Sequence, residues 1–127
     1  MNNYFNDREF ACKCGCGFCQ PDRRLIDTLN TIRETLGRPI NITSGCRCKT
    51  HNKRVGGVTN SNHTHGTAAD IQCKGVSAFE VWSTVKQLCG MGKLPHLAGL
   101  GIYNTFVHVD VAPKKPDGLR EWDERTI

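Results

Sequence analysis

The stretch "LGIYNTFVHVDV", residues 100–111, decides what kind of sheet this chain can build. "LGIY" and "FVHVDV" flank the polar pair Asn104 and Thr105, and two apolar runs around so short a step read as a β-hairpin. Side chains of a strand alternate between its faces. Val107, Val109 and Val111 therefore take one face, and Phe106, His108 and Asp110 take the other. A histidine and a carboxylate on one face are costly to bury without partners. The valine face belongs to a core, and the other face has to meet compensating polar groups from elsewhere in the chain.

Outward from the hairpin, two helices are legible. Residues 21–37, "PDRRLIDTLNTIRETLG", place Leu25, Ile26, Leu29, Ile32 and Leu36 at helical spacing, with Pro21 suited to the first turn and Gly37 to the stop. The second follows Ser77 and Glu80, a capping box before "FEVWSTVKQLCG"; Phe79, Trp82, Val85 and Cys89 are expected on its core face, with Gly90 past its end. "PINITSG" (39–45) alternates Ile40 and Ile42 with polar residues, and "AADIQC" (68–73) reads as a strand entering the sheet. The expected fold class is α+β, two main helices on a small, mostly antiparallel sheet. A single domain over residues 1–127 is expected, with a cysteine-rich segment at 10–20 and a charged tail at 112–127 from which only Trp122 packs back.

Composition sets the outer limits. The chain has 127 residues, 38% hydrophobic and 23% charged, an ordinary globular profile with no apolar run long enough to span a membrane. "MNNYFNDREFACKC" has neither the basic start nor the apolar core of a secretory signal, so synthesis in the cytoplasm is expected. The net charge of +5 could serve nucleic acid, but the basic residues are scattered and mixed with acids, and the balance equally suits an anionic polymer such as a bacterial cell wall, so charge alone decides nothing. Eight cysteines are many for this length: Cys12, Cys14, Cys16 and Cys19 in "CKCGCGFC", Cys46 and Cys48 in "CRC", then Cys73 and Cys89. The first cluster is a candidate structural metal site, although its Cys-x-Cys steps are tighter than those of common zinc knuckles. A reduced or partly oxidised thiol cluster is the other reading.

Residues 45–67 carry little apolar periodicity, and a loop of that length in a compact domain is commonly functional. It leads into "SNHTHGTAAD", residues 61–70. Catalytic zinc takes three histidine or carboxylate ligands and keeps a further position open. His63, Asp70 across a turn at Gly66, and His108 from the hairpin would make such a set. Spacing leaves the alternative open, in which His63 and His65 are solvated loop residues and His108 is a hydrogen-bonded core histidine.

"SNHTHGTAAD" resembles the Ser-x-His-x-x-Gly-x-Ala-x-Asp signature of the M15 zinc peptidases, the D-alanyl-D-alanine carboxypeptidase family. "SGCRC" with "HNKRVGG" resembles the family's upstream Ser-Gly-x-Arg stretch, and "FVHVDV" its closing His-x-Asp strand. The three motifs agree in order and spacing from about Phe10 to Val111, and by pattern they are nearest the short phage and prophage members, peptidoglycan endopeptidases among them. The resemblance implies the fold shared with the Hedgehog signalling domain and a zinc ion on His63, Asp70 and His108. It implies that Arg47 holds a substrate carboxylate or polarises the scissile carbonyl, and that Ser61 lines the cleft, with His65 beside it. Better-known relatives carry an acid three positions before the last histidine ligand; here Thr105 stands there and cannot act as a base. Asp110 is then the first candidate for the general base, a group orienting a histidine ligand is its other role, and His65 is the next candidate base.

The implied activity is zinc-dependent hydrolysis of an amide bond in peptidoglycan stem or cross-link peptides, as a carboxypeptidase or an endopeptidase. The expected cofactors are one catalytic zinc and, on Cys12, Cys14, Cys16 and Cys19, a second structural one. The expected partner is the wall peptide, with no nucleic acid and no membrane, and the protein is expected to be a monomer. The chain would reach the wall after release from the cell, as an endolysin does, or within a phage particle. The alternative is a non-catalytic zinc-binding interaction domain of the same fold.

Overall fold

A computed structural model of the chain describes residues 4–5, 7–10, 21–45, 66–111 and 118–126. Its first helix, α1 (Arg23–Leu36), starts where Asp22 accepts the backbone N–H of Arg24 at 2.8 Å. The cap satisfies one of the donors that a helix N-terminus leaves open. Pro21 therefore precedes the cap and is not in the first turn. At the other end Gly37 takes the left-handed conformation, φ 68°, and its N–H reaches the carbonyl of Arg33 at 3.0 Å. Leu25, Leu29 and Ile32 are fully buried, while Ile26 and Leu36 pack at the margin of the core.

The second helix, α2 (Ala78–Gly90), is capped by Ser77, whose hydroxyl accepts the N–H of Glu80 at 3.2 Å. Its buried stripe is Val81, Val85 and Leu88. This corrects the expected face: Val85 is in the core, Trp82 and Cys89 flank it, and Phe79 is 54% exposed. Phe79 lies about 200° around the helix axis from Val81, so it cannot share that face. Gly90 is the last helical residue, and the chain turns at Met91 and Gly92.

Between and after the helices run five strands: β1 (Ile40–Ser44), β2 (Ala68–Cys73), β3 (Gly99–Ile102), β4 (Val107–Asp110) and β5 (Arg120–Asp123). They form one sheet in the order β1-β2-β4-β3-β5. The pairs β1–β2, β2–β4 and β4–β3 are antiparallel, and β3–β5 is parallel. The hairpin read at residues 100–111 is present, closed by the N–H of Tyr103 on the carbonyl of Phe106 at 3.0 Å and by the stacking of their rings. The stretch expected to be a charged tail contains β5, which corrects that expectation. Its period-2 pattern is hard to see because the residues on both of its faces are polar or aromatic.

Register divides the sheet into two faces. Ile40, Ile42, Ala69, Ile71, Cys73, Leu100, Val107 and Val109 enter one core with the helices, and α2 packs on β2, β3 and β4. On the opposite face, Ser44, Asp70, His108, Gly101 and Trp122 stand in one row across the five strands. Ala68, Asp110, Gly99 and Arg120 make the neighbouring row. No helix among the described residues is long and apolar enough to cross a membrane.

Candidate metal centre

The two rows bring together residues far apart in sequence. Asp70 and His108 face each other in the β2–β4 register, and His108 Nδ1 is 3.1 Å from Asp70 Oδ1. Two residues along β4, on the same face, Asp110 presents Oδ2 to His108 Nε2 at 2.9 Å. Arg120 of β5 donates from Nη2 to Asp110 Oδ1 at 2.5 Å. The Trp122 ring lies 5.0 Å from the His108 ring, and its Nε1 donates to the Tyr103 hydroxyl at 3.0 Å.

Local sequence explains each placement. Where Thr43 interrupts the β1–β2 register as a bulge, pairing resumes at Ser44 and Asp70, and the Thr43 hydroxyl donates to the Asp70 carbonyl at 3.2 Å. Bulges of this kind re-aim side chains beside sites. Gly66, at φ 71°, makes the turn expected of it just before β2. In β3 the alternate positions Gly99 and Gly101 are bare on the site face: a Cβ at Gly99 would collide with the Asp110 carboxylate, and one at Gly101 with the Trp122 indole. Asp110 and Trp122 thus occupy space that only glycine leaves.

Burial differs along the row. The Asp110 side chain is fully buried, whereas those of His108 and Asp70 are 11% and 14% exposed. Burial disfavours a charged His108 ring, but the carboxylates of Asp110 and Asp70 outweigh that and hold its pKa above the ordinary histidine value. The Asp70 and Asp110 carboxylates, one on each ring nitrogen, favour positive charge at the imidazole. A proton can supply that charge, and so can a metal ion.

Of the residues predicted for the site, Asp70, His108 and Asp110 are brought together. His63, His65, Ser61 and Arg47 lie outside the described residues, as do Cys12, Cys14, Cys16, Cys19, Cys46 and Cys48. Cys73 and Cys89 are free; Cys73 is buried, and burial raises its thiol pKa. Thr105 is exposed in the hairpin turn, and its carbonyl accepts the Gln72 side chain at 2.9 Å. Arg120 was missed as a site residue. Its signal was the alternation in "REWD", which puts Arg120 and Trp122 on one face, together with the paired glycines of "GLGI".

A histidine nitrogen and a carboxylate oxygen side by side, with the ring's other nitrogen held by a buried carboxylate, are donor types that suit a metal ion. The family model described as peptidase M15 matches residues 3–110, and the chain belongs to that family. Its members are metallopeptidases and are generally zinc-dependent. No curated protein matches the chain. The match takes in Asp70, His108 and Asp110 and stops before β5. Among the described residues no three His, Cys, Asp or Glu side chains form a complete metal site. The two described members of the predicted triad nevertheless fit zinc in chemistry and adjacency, since Asp70 and His108 turn an oxygen and a nitrogen toward each other.

Proposed function

We propose that the chain hydrolyses an amide bond in the stem or cross-link peptides of peptidoglycan. The observation that carries this is the Asp70–His108 pair across β2 and β4, backed on the far side of the ring by Asp110. His63, seven residues before Asp70, is the third ligand in this proposal. Zinc, when bound by His63, Asp70 and His108, supplies a Lewis acid for the scissile carbonyl and a water nucleophile at neutral pH.

The chain's own residues then divide the remaining work. Asp110 is fully buried, with one oxygen on His108 and the other on Arg120, which supports an orienting role for it over the role of base. By accepting from Nε2, Asp110 selects the tautomer whose Nδ1 lone pair points at the ligand position beside Asp70. His65 is then the candidate that takes a proton from the attacking water and returns it to the leaving amine. Arg47 holds the substrate carboxylate or polarises its carbonyl through the fixed fork of its guanidinium, and Ser61 lines the cleft. The net charge of +5 favours residence on an anionic wall.

Digestion of purified sacculi, followed by mass spectrometry of the released fragments, tests the proposal. Cleavage of a stem or cross-link amide, lost with a chelator and absent in His63→Ala and Asp70→Ala, is the expected result. A zinc-loaded protein that binds sacculi and releases nothing would replace the hydrolase with a wall-binding domain of the same fold.

A further inference from the structure

We propose that Arg120 and Trp122 of β5, beyond the end of the family match, are positioning residues that set His108 for metal binding. This rests on the zinc ligation by His108 proposed above. The route runs through Asp110. A fully buried carboxylate requires a compensating charge, and Arg120 Nη2 on Oδ1 provides it. With that oxygen engaged, Oδ2 faces His108 Nε2 at 2.9 Å, which leaves Nδ1, the nitrogen turned to Asp70, as the one that would take the ion. Trp122 restrains the same ring from a second direction. Its indole lies 5.0 Å from the imidazole at an interplanar angle of 50°, and the indole is itself held by Tyr103.

The fold provides for both contacts. β5 pairs in parallel with β3, placing Arg120 opposite Gly99 and Trp122 opposite Gly101. Those are the two β3 positions without a side chain on the site face, so groups from β5 pass over β3 to reach β4. The other face of β5 serves the scaffold instead: Glu121 pairs with Lys86 of α2 at 2.7 Å. One four-residue strand therefore carries separate site and scaffold faces.

The test uses the full chain, with zinc affinity measured by competition against a chromophoric chelator and the visible spectrum recorded with cobalt(II) in place of zinc. Arg120→Met should bind zinc about 10–100-fold more weakly, the range for losing a group that orients a histidine ligand, with an altered cobalt spectrum and an unchanged far-UV circular dichroism spectrum. Arg120→Lys, which keeps the charge, should recover most of the affinity. Trp122→Leu should also weaken binding and shift the cobalt bands. Folded Arg120→Met and Trp122→Leu proteins with the parent's affinity and spectrum would overturn the proposal while leaving the zinc site intact. If Arg120→Met does not fold, Arg120→Gln replaces it, and a folded Arg120→Gln with the parent's affinity and cobalt spectrum, together with parental values in Trp122→Leu, overturns it equally. A parent whose zinc binding is indifferent to His108→Ala overturns the site itself, and this proposal with it.

Discussion

Asp110 shows how far one residue can be read. Strand parity places it beside His108, and its carboxylate does meet the imidazole. Parity says nothing of what lies behind it, and the difference between a base and an orienting group is set by that environment. A base must reach water and substrate, whereas Asp110 is fully buried, with Arg120 on its second oxygen. Asp110→Asn is therefore expected to lower zinc affinity about 10–100-fold and to regain cleavage of sacculi when zinc is added in excess. Titrating zinc into the variant during digestion checks this. A fully loaded variant that stays 10²–10⁴-fold slow would identify Asp110 as the base instead, that being the usual range for general acid–base catalysis.

Among the elements, helix ends were the most legible parts and helix faces the least. Gly37 and Ser77 act through local hydrogen bonds that sequence spacing encodes directly, whereas the α1 cap is Asp22, one residue after the Pro21 expected in its first turn. Asp22→Ala should cost about 1 kcal/mol at neutral pH, the ordinary value of such a cap. The side-chain hydrogen bond with Arg24 holds the Asp22 carboxyl below its usual pKa, so its contribution is complete above about pH 4 and is lost as pH falls through the folded-state value. Urea unfolding of parent and variant should accordingly show a gap that narrows in acid. On α2 the aromatic residues Phe79 and Trp82 compete with Val81 and Leu88 for the core face, and it is the aliphatic stripe that meets the sheet. In β3, Gly101→Ala should displace the Trp122 indole and cost about 1–3 kcal/mol, the range for overpacking. Thermal unfolding and the tryptophan fluorescence spectrum would report it together.

The whole molecule is a sheet with two different faces, and the site depends on every strand being in register. β1 and β2 present Asp70, β4 presents His108 and Asp110, β3 leaves room, and β5 completes the far side. A chain ended after Val111 removes the Arg120 guanidinium from the buried Asp110 and uncovers the β3 edge. It is expected to lose about 1–3 kcal/mol of stability from that contact, the range for leaving a buried polar group without one of its partners, and to self-associate through the bared strand. Urea unfolding and light scattering would measure the two effects. Arg120→Met in the full chain should lose the first effect's share of stability without the association, because the edge stays paired.

By itself the sequence determined the α+β class, both helices with the Gly37 stop and the Ser77 cap, four of the strands, and the placing of His108 and Asp110 on one strand face. All of these follow from local periodicity, turn chemistry or side-chain alternation, which neighbouring residues specify without reference to the rest of the chain. The order and spacing of the motifs around Asp70 and His108 also pointed to the peptidase family, which the family match bears out. Tertiary structure alone decided that Asp70 stands opposite His108, that β5 joins the sheet in parallel, and that Arg120 and Trp122 converge on the site. The physical reason is that strand register comes from long-range pairing, and a polar four-residue strand has no apolar face to announce it.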